Sequence, residues 1–216
     1  MNHSLAPSLA SQAYEALEEL LVTLEIPPDS VVSEPELCQR VGLGRTPVRE
    51  AIQRLAAQRL LRVLPRRGLV VAGVDGIEHL GMLETRRVLD RLIAALAARR
   101  ASPDQRAELK ACATSMAKSA RENRLKDYLK MDQQCDEILE SACRNPSAVL
   151  AVAPLHVHCR RFWYLHRRSA DIGSVAALHI ALMKAVAGGD ERGAATASDT
   201  LLDHLDRSAR EALELH

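Results

Sequence analysis

SEPELCQRVGLGRTPVREAIQRLAAQRLLRVLPRRGLVV, residues 33–71, holds two helical patterns followed by two strand patterns. Ser33 stands where it can cap a short helix, Glu34 to Val41, whose first turn carries Glu34 and Glu36; acids are favourable at that end of a helix dipole. Gly42-Leu43-Gly44 makes a tight break. A basic helix is predicted from about Thr46 to Gln58, with Pro47 in its first turn, where a missing N–H does no harm. Leu60–Leu64 and Leu69–Ala72 then read as two short strands around Pro65-Arg66-Arg67-Gly68. Helix, glycine turn, basic helix and an arginine-tipped hairpin together predict a winged helix-turn-helix. Upstream, Leu9, Ala13, Leu17, Leu20, Leu21 and Leu24 recur at helical spacing within Leu5–Leu24, and Pro27-Pro28-Asp29 ends that segment.

Charge is concentrated in the same stretch. Between Arg40 and Arg67, the arginines Arg40, Arg45, Arg49, Arg54, Arg59, Arg62, Arg66 and Arg67 meet a single acid, Glu50, although the whole chain carries a net charge of only +1. A basic stripe confined to one segment is the electrostatic footprint of a nucleic-acid binder; the alternative is a solvated helix face. The chain of 216 residues is 47% hydrophobic and 26% charged, which excludes intrinsic disorder. It has no run of about 18 apolar residues, so no membrane span is expected. Cys38, Cys112, Cys135, Cys143 and Cys159 are odd in number and never spaced C-x-x-C. With no signal peptide in view, they predict reduced thiols and a cytoplasmic location.

Residues 8–72 resemble the winged helix of the GntR family of bacterial transcriptional regulators, through R-T-P-V-R-E-A at 45–51, L-P-x-R-G at 64–68 and the preceding E-L at 36–37. The resemblance implies that Arg45, Thr46 and Arg49 face DNA at the start of the recognition helix. Arg66, Arg67 and Gly68 would form a wing reaching an adjacent groove. Arg45 and Arg49, four apart, share one helix face, and Arg suits bidentate contact with guanine O6 and N7. Two departures stand out: Pro35 replaces a common basic residue, and Gly44 replaces the usual Ser.

Beyond Val74 the composition shifts to long Ala/Leu/Arg helices, giving expected domains of 1–74 and 75–216. Six helices are predicted, at about 75–100, 102–122, 125–143, 147–169, 175–187 and 191–215, with a bend expected at Pro154. Together they make an all-α bundle whose core is a natural ligand cavity. Charged residues on apolar faces mark that core. Asp132 and Asp136 share a face with Leu125, Leu129 and Leu139, His179 with Leu182 and Met183, and Arg86 with Leu83 and Ile93. Charges are rarely buried unpaired, so these residues predict a polar pocket. Arg86 is read as gripping the carboxylate of a small organic acid, or as pairing with Asp90 one turn away. His156 either lines the pocket or is a satisfied core histidine. Phe162, Trp163 and Tyr164 are three of only five aromatics. They diverge around a helix.

Residues 76–215 resemble the FCD ligand-binding domain of the FadR-type branch of that family. The matching pieces are E-x-R-x-x-L-D at 84–90, D-x-x-x-D at 132–136, N-P at 145–146, L-H at 178–179 and G-D at 189–190. The resemblance implies a divalent metal held by Asp-x-x-x-His and two later histidines, and makes the helix that bears Trp163 a wall of the effector cavity. Here Asp132 and His179 match, Asp136 replaces the first His, and Leu201 stands at the last position, with His204 one turn on. Asp132, Asp136 and His179 could still hold Zn, Ni or Mn; the alternative is a metal-free pocket in which Asp132 and His179 hydrogen-bond. The expected function is a homodimeric transcriptional regulator, a repressor, whose binding to a double-stranded operator is controlled by a small carboxylate metabolite. The alternatives are a metal-binding helical-bundle enzyme and a DNA-independent sensor.

Overall fold

The computed structural model describes residues 8–64, 68–166 and 172–214. The chain forms two compact units, residues 1–75 with 160–165, and residues 76–159 with 166–216.

In the first unit, α1 (Leu9–Val22) and α2 (Glu34–Val41) both pack on α3 (Arg45–Ala57). Leu17, Leu21, Ile26, Leu37, Val48 and Leu55 fill the core between them. Ser33 caps α2 as its position predicts, its Oγ accepting from the Glu36 N–H at 3.3 Å. Gly42 ends α2 in the left-handed region, φ +68°, which glycine enters without steric cost. Gly44 is the N-cap of α3 and supplies no side-chain cap.

The predicted two-stranded wing is present, within a sheet of three antiparallel strands in the order β1-β3-β2. β2 (Leu61–Leu64) and β3 (Gly68–Val71) form the hairpin, with Leu64 opposite Gly68. β1 (Val31–Val32) adds to the other edge of β3, Val31 opposite Val70 and Val32 opposite Leu69. Two residues are too few to show the alternation by which a strand is read, which is why β1 escaped notice. Gly68 has φ +96°, and a Cβ there would stand 2.9 Å from the Val32 carbonyl oxygen. Its place in the sheet therefore demands glycine whatever the wing touches. Arg66 and Arg67 lie outside the described residues.

The second unit contains α4 (Gly76–Arg100), α5 (Pro103–Arg121), α6 (Leu125–Cys143), most of α7 (Pro146–His166), α8 (Ile172–Gly188) and α9 (Glu191–Glu214). α4 packs on α9, α6 and α8, and α5 packs on α8 and α6. Ser102 opens α5 with a full capping box: its hydroxyl accepts from the Gln105 N–H, and Gln105 Oε1 accepts from the Ser102 N–H. The Arg106 guanidinium donates to the carbonyls of Ala98 and Ala101 near the end of α4, and to those of Val186 and Ala187 near the end of α8. A cation is favourable there because final-turn carbonyls lack helical partners. α7 remains helical through Pro154, and α8 starts three residues earlier than its apolar pattern indicated.

Candidate DNA-reading face and effector cavity

Three of the six residues expected to meet DNA lie together on α3. Arg45, Thr46 and Arg49 occupy its first two turns, all exposed. The neighbouring arginines are less available than a charge count implies. Arg40 pairs with Glu36 at 3.0 Å, and the Arg54 guanidinium lies 3.9 Å from the Tyr14 ring centroid, a cation–π contact. Tyr14 in turn donates its hydroxyl to Gln58 Oε1 at 2.8 Å. Arg49 donates Nε–H to Glu34 Oε2 at 2.8 Å, and that hydrogen bond raises its pKa further.

Sequence reasoning missed a second pair of arginines in this unit. Arg161 on α7 is 1% exposed and donates to the carbonyls of Leu21, at 3.2 Å, and Ala72, at 2.8 Å. Burial lowers its pKa. Arg160 pairs with the buried Glu18 at 3.5 Å. No local pattern marks these residues, since an Arg-Arg pair ahead of an aromatic cluster reads as surface. Trp163 belongs to the same segment, 160–165, and is not among the described residues lining the cavity below.

That cavity lies within the second unit. Arg86 and Asp90 from α4, Asp136 and Glu140 from α6, His156 from α7 and His179 from α8 provide its polar wall. Ile93, Leu139, Leu182, Leu201 and Leu202 provide the apolar wall. It encloses about 20 Å³, room for roughly one water molecule. Arg86 donates Nε–H to Asp90 Oδ2 at 3.0 Å, and its Nη2 lies 2.9 Å from the same oxygen. Both ring nitrogens of His156 face carboxylates. Nε2 is 2.9 Å from Asp90, while Nδ1 is 3.1 Å from Glu140 and 3.3 Å from Asp136. A neutral imidazole would aim one lone pair at a carboxylate, so the geometry calls for the imidazolium. Burial alone would lower the His156 pKa; Asp136 and Asp90 outweigh it and raise it to about 9.

His179 repeats the arrangement on a smaller scale. Its Nε2 is 2.9 Å from Asp132, and Nδ1–H donates to the Val175 carbonyl at 3.0 Å. Burial alone would lower its pKa; Asp132, the Val175 carbonyl and Asp136 together raise it. Asp90 shows the mirror image: burial pushes its pKa up, the Arg86 guanidinium and His156 together pull it down further, and the net shift is downward. The structure thus gathers Arg86, Asp136, His156 and His179 around one cavity, with Asp132 behind His179. Asp90 and Glu140 complete the wall. Glu140 had a legible signal, because Asp132, Asp136 and Glu140 repeat every four residues along one face of α6.

A winged helix with an arginine-bearing recognition helix, followed by an all-helical unit with a charged core, defines a class of DNA-binding regulator. The chain belongs to the GntR family of bacterial regulatory proteins, in its FCD-domain branch: residues 9–71 match the bacterial regulatory proteins, gntR family, and residues 81–206 match the FCD domain. The family is one of transcriptional regulators. A transcriptional regulator in the TAR-I ttuE-ttuC' intergenic region of Agrobacterium vitis is 35% identical over 65 residues, 30% of this chain and 38% of that protein. The HTH-type transcriptional repressor GlaR of Escherichia coli strain K12 is 29% identical over 105 residues, 49% of this chain and 48% of GlaR. The chain thus spans half or less of the length of these curated relatives. E. coli McbR/YncC shares the fold at a TM-score of 0.80 and 18% identity, over 95% of this chain and 99% of that one.

FCD domains can hold metals or small effectors. Tested against the side chains present, a resident divalent metal fits poorly. Asp136 is engaged by His156, Asp132 by His179, and the buried Leu201 offers no ligand atom. Among the described residues, no group of three or more His, Cys, Asp or Glu is gathered so as to hold a metal ion. Among the same residues, no helix is long and apolar enough to cross a membrane.

Proposed function

We propose that the protein binds a short pseudo-palindromic operator as a homodimer, and that a small carboxylate metabolite in the FCD core controls this binding. The observation that carries the proposal is the exposed Arg45-Thr46-Arg49 face at the uncapped start of α3. Arginine there suits guanine edges, while Thr46 and the free N–H groups of the first turn suit phosphate. Arg66, Arg67 and Gly68 of the wing would reach an adjacent groove. Repression is supported by GlaR being a transcriptional repressor. Dimerisation is supported by family habit and by an apolar stripe on α4, where Ile77, Val88 and Leu92 are exposed; a two-fold partner doubles the operator contacts.

Arg86, His156 and His179 are the cations on which an effector carboxylate would settle, with Asp132 and Asp136 holding the imidazoles in place. Each cation is already paired, so the effector must take the place of an internal carboxylate, Asp90 being the one on Arg86. Its binding would act on DNA through a difference in affinity between two states of the protein. A divalent ion at Asp132, Asp136 and His179 would require Asp136 to leave His156.

The test starts by selecting duplexes from a randomised pool with the full-length protein. Lactate, malonate and succinate are then screened by thermal shift, with and without chelator, since a ligand of the folded state raises its stability. One acid should raise the melting temperature irrespective of chelator and weaken binding to the selected duplex. Arg86→Ala should lose that response and keep duplex binding. Failure to enrich any sequence would overturn the operator reading, and a melting temperature lowered by chelator alone would restore the metal.

A further inference from the structure

Arg49 is held at one edge. Its side chain is 64% exposed, yet Nε–H donates to Glu34 Oε2 at 2.8 Å, and Glu34 is only 26% exposed. The two residues are 15 apart in sequence. Glu34 begins α2 and Arg49 lies on the second turn of α3, so the contact joins the two helices of the helix-turn-helix. Engagement through Nε directs the opposite edge of the guanidinium, Nη1 and Nη2, away from Glu34. A long arginine otherwise samples many rotamers, and ordering it at a base edge opposes binding.

We infer that Glu34 is a positioning residue for sequence readout, fixing Arg49 through Nε so that its Nη1/Nη2 edge meets a guanine. The inference rests on the proposed role of Arg49 as a base contact. Glu34 itself touches no base. As an anion beside the DNA face, it repels phosphate and so works against non-specific binding. It therefore improves discrimination twice, by orienting the donor that reads sequence and by penalising contact that does not. A competitor for the DNA site would instead occupy the Nη pair that a guanine needs.

The experiment compares the base preferences of wild type, Glu34→Ala, Glu34→Gln, Arg49→Ala and the double variant Glu34→Ala/Arg49→Ala. Full-length proteins select from the same randomised duplex pool, and binding is followed by fluorescence anisotropy. Arg49→Ala should erase preference at one position per half-site. Glu34→Ala and Glu34→Gln should weaken preference at that same position by roughly tenfold, while affinity for unselected duplex stays level or rises. In the double variant, loss of Glu34 should add nothing to loss of Arg49. A helix-capping role for Glu34 would persist in the Arg49→Ala background, so this coupling separates positioning from stability. Retained preference in both Glu34 variants, with Arg49→Ala defective, overturns the positioning role alone. If Arg49→Ala keeps full preference everywhere, the base contact falls and the positioning role falls with it.

Discussion

Arg45 and Arg49 on α3, and Arg86 and His156 in the FCD core, are all cations that the sequence marks for function, but their surroundings differ in kind. The α3 arginines stand in solvent, and Arg49 has one light tether to Glu34. Arg86 and His156 have side chains 8% and 6% exposed, closed in by Asp90, Asp136 and Glu140. Removing an exposed charge leaves little behind in the free protein. Removing a buried one leaves carboxylates without a partner in a medium that solvates them poorly. The difference teaches that the α3 face keeps its cations open to solvent, whereas the core has satisfied itself. Anything entering that core must replace a contact already made.

The sharpest way to break this contrast is to delete one cation from each region. His156→Ala should destabilise the FCD unit by about 3–5 kcal/mol, the usual loss when one partner of a buried ion pair is removed. Denaturant unfolding measures it, and a loss under 1 kcal/mol would mean that water already reaches the cage.

The next effect is in pH. His156 has a folded-state pKa of about 9 against 6.5. Its contribution is therefore complete below pH 6.5 and disappears as pH rises to 9. His79, buried on α4, works in the opposite sense. Burial first, and then Arg86, lower its pKa to about 3, so its contribution holds above pH 6.5 and disappears as pH falls to 3. Melting temperature should accordingly peak near pH 6.5 and fall by several degrees on each side. His156→Gln should flatten the alkaline limb and His79→Gln the acid limb. Hydrogen exchange should place the alkaline loosening in α6 and α7 rather than in α2 and α3; uniform loosening would erase the contrast.

The smallest effect on folding belongs to Arg45. Arg45→Ala should leave stability within about 0.5 kcal/mol while relaxing base preference by about 1–3 kcal/mol at its own position. Anisotropy on selected and single-base-changed duplexes measures the second quantity. Unaltered preference would remove Arg45 from the contact set.

How far each region was legible follows the same division. The winged helix is built from short-range signals. Ser33 as a cap, Gly42 at positive φ and Gly44 without a cap are each set by neighbours a few residues away, and each is visible in the sequence. β1 was missed because two valines carry no periodicity. In the bundle, face patterns correctly put Arg86, Asp136 and His179 at a common interior. They could not say which partners meet there, because that depends on which helix packs opposite. Asp90 and His156 are 66 residues apart, and Asp136 shares a helix with Asp132 yet faces His156 from α7. Arg161 was invisible for the same reason: its acceptors, Leu21 and Ala72, are backbone carbonyls, and no side chain records them.

The cavity of about 20 Å³ has a kinetic consequence. A molecule larger than water cannot enter until the wall opens, so its association rate is capped by how often that happens, and its apparent affinity is reduced by the open fraction. Stopped-flow traces with a saturating effector should level off with concentration instead of rising linearly. A sensor made this way would answer to a metabolite that persists and pass over one that merely flickers.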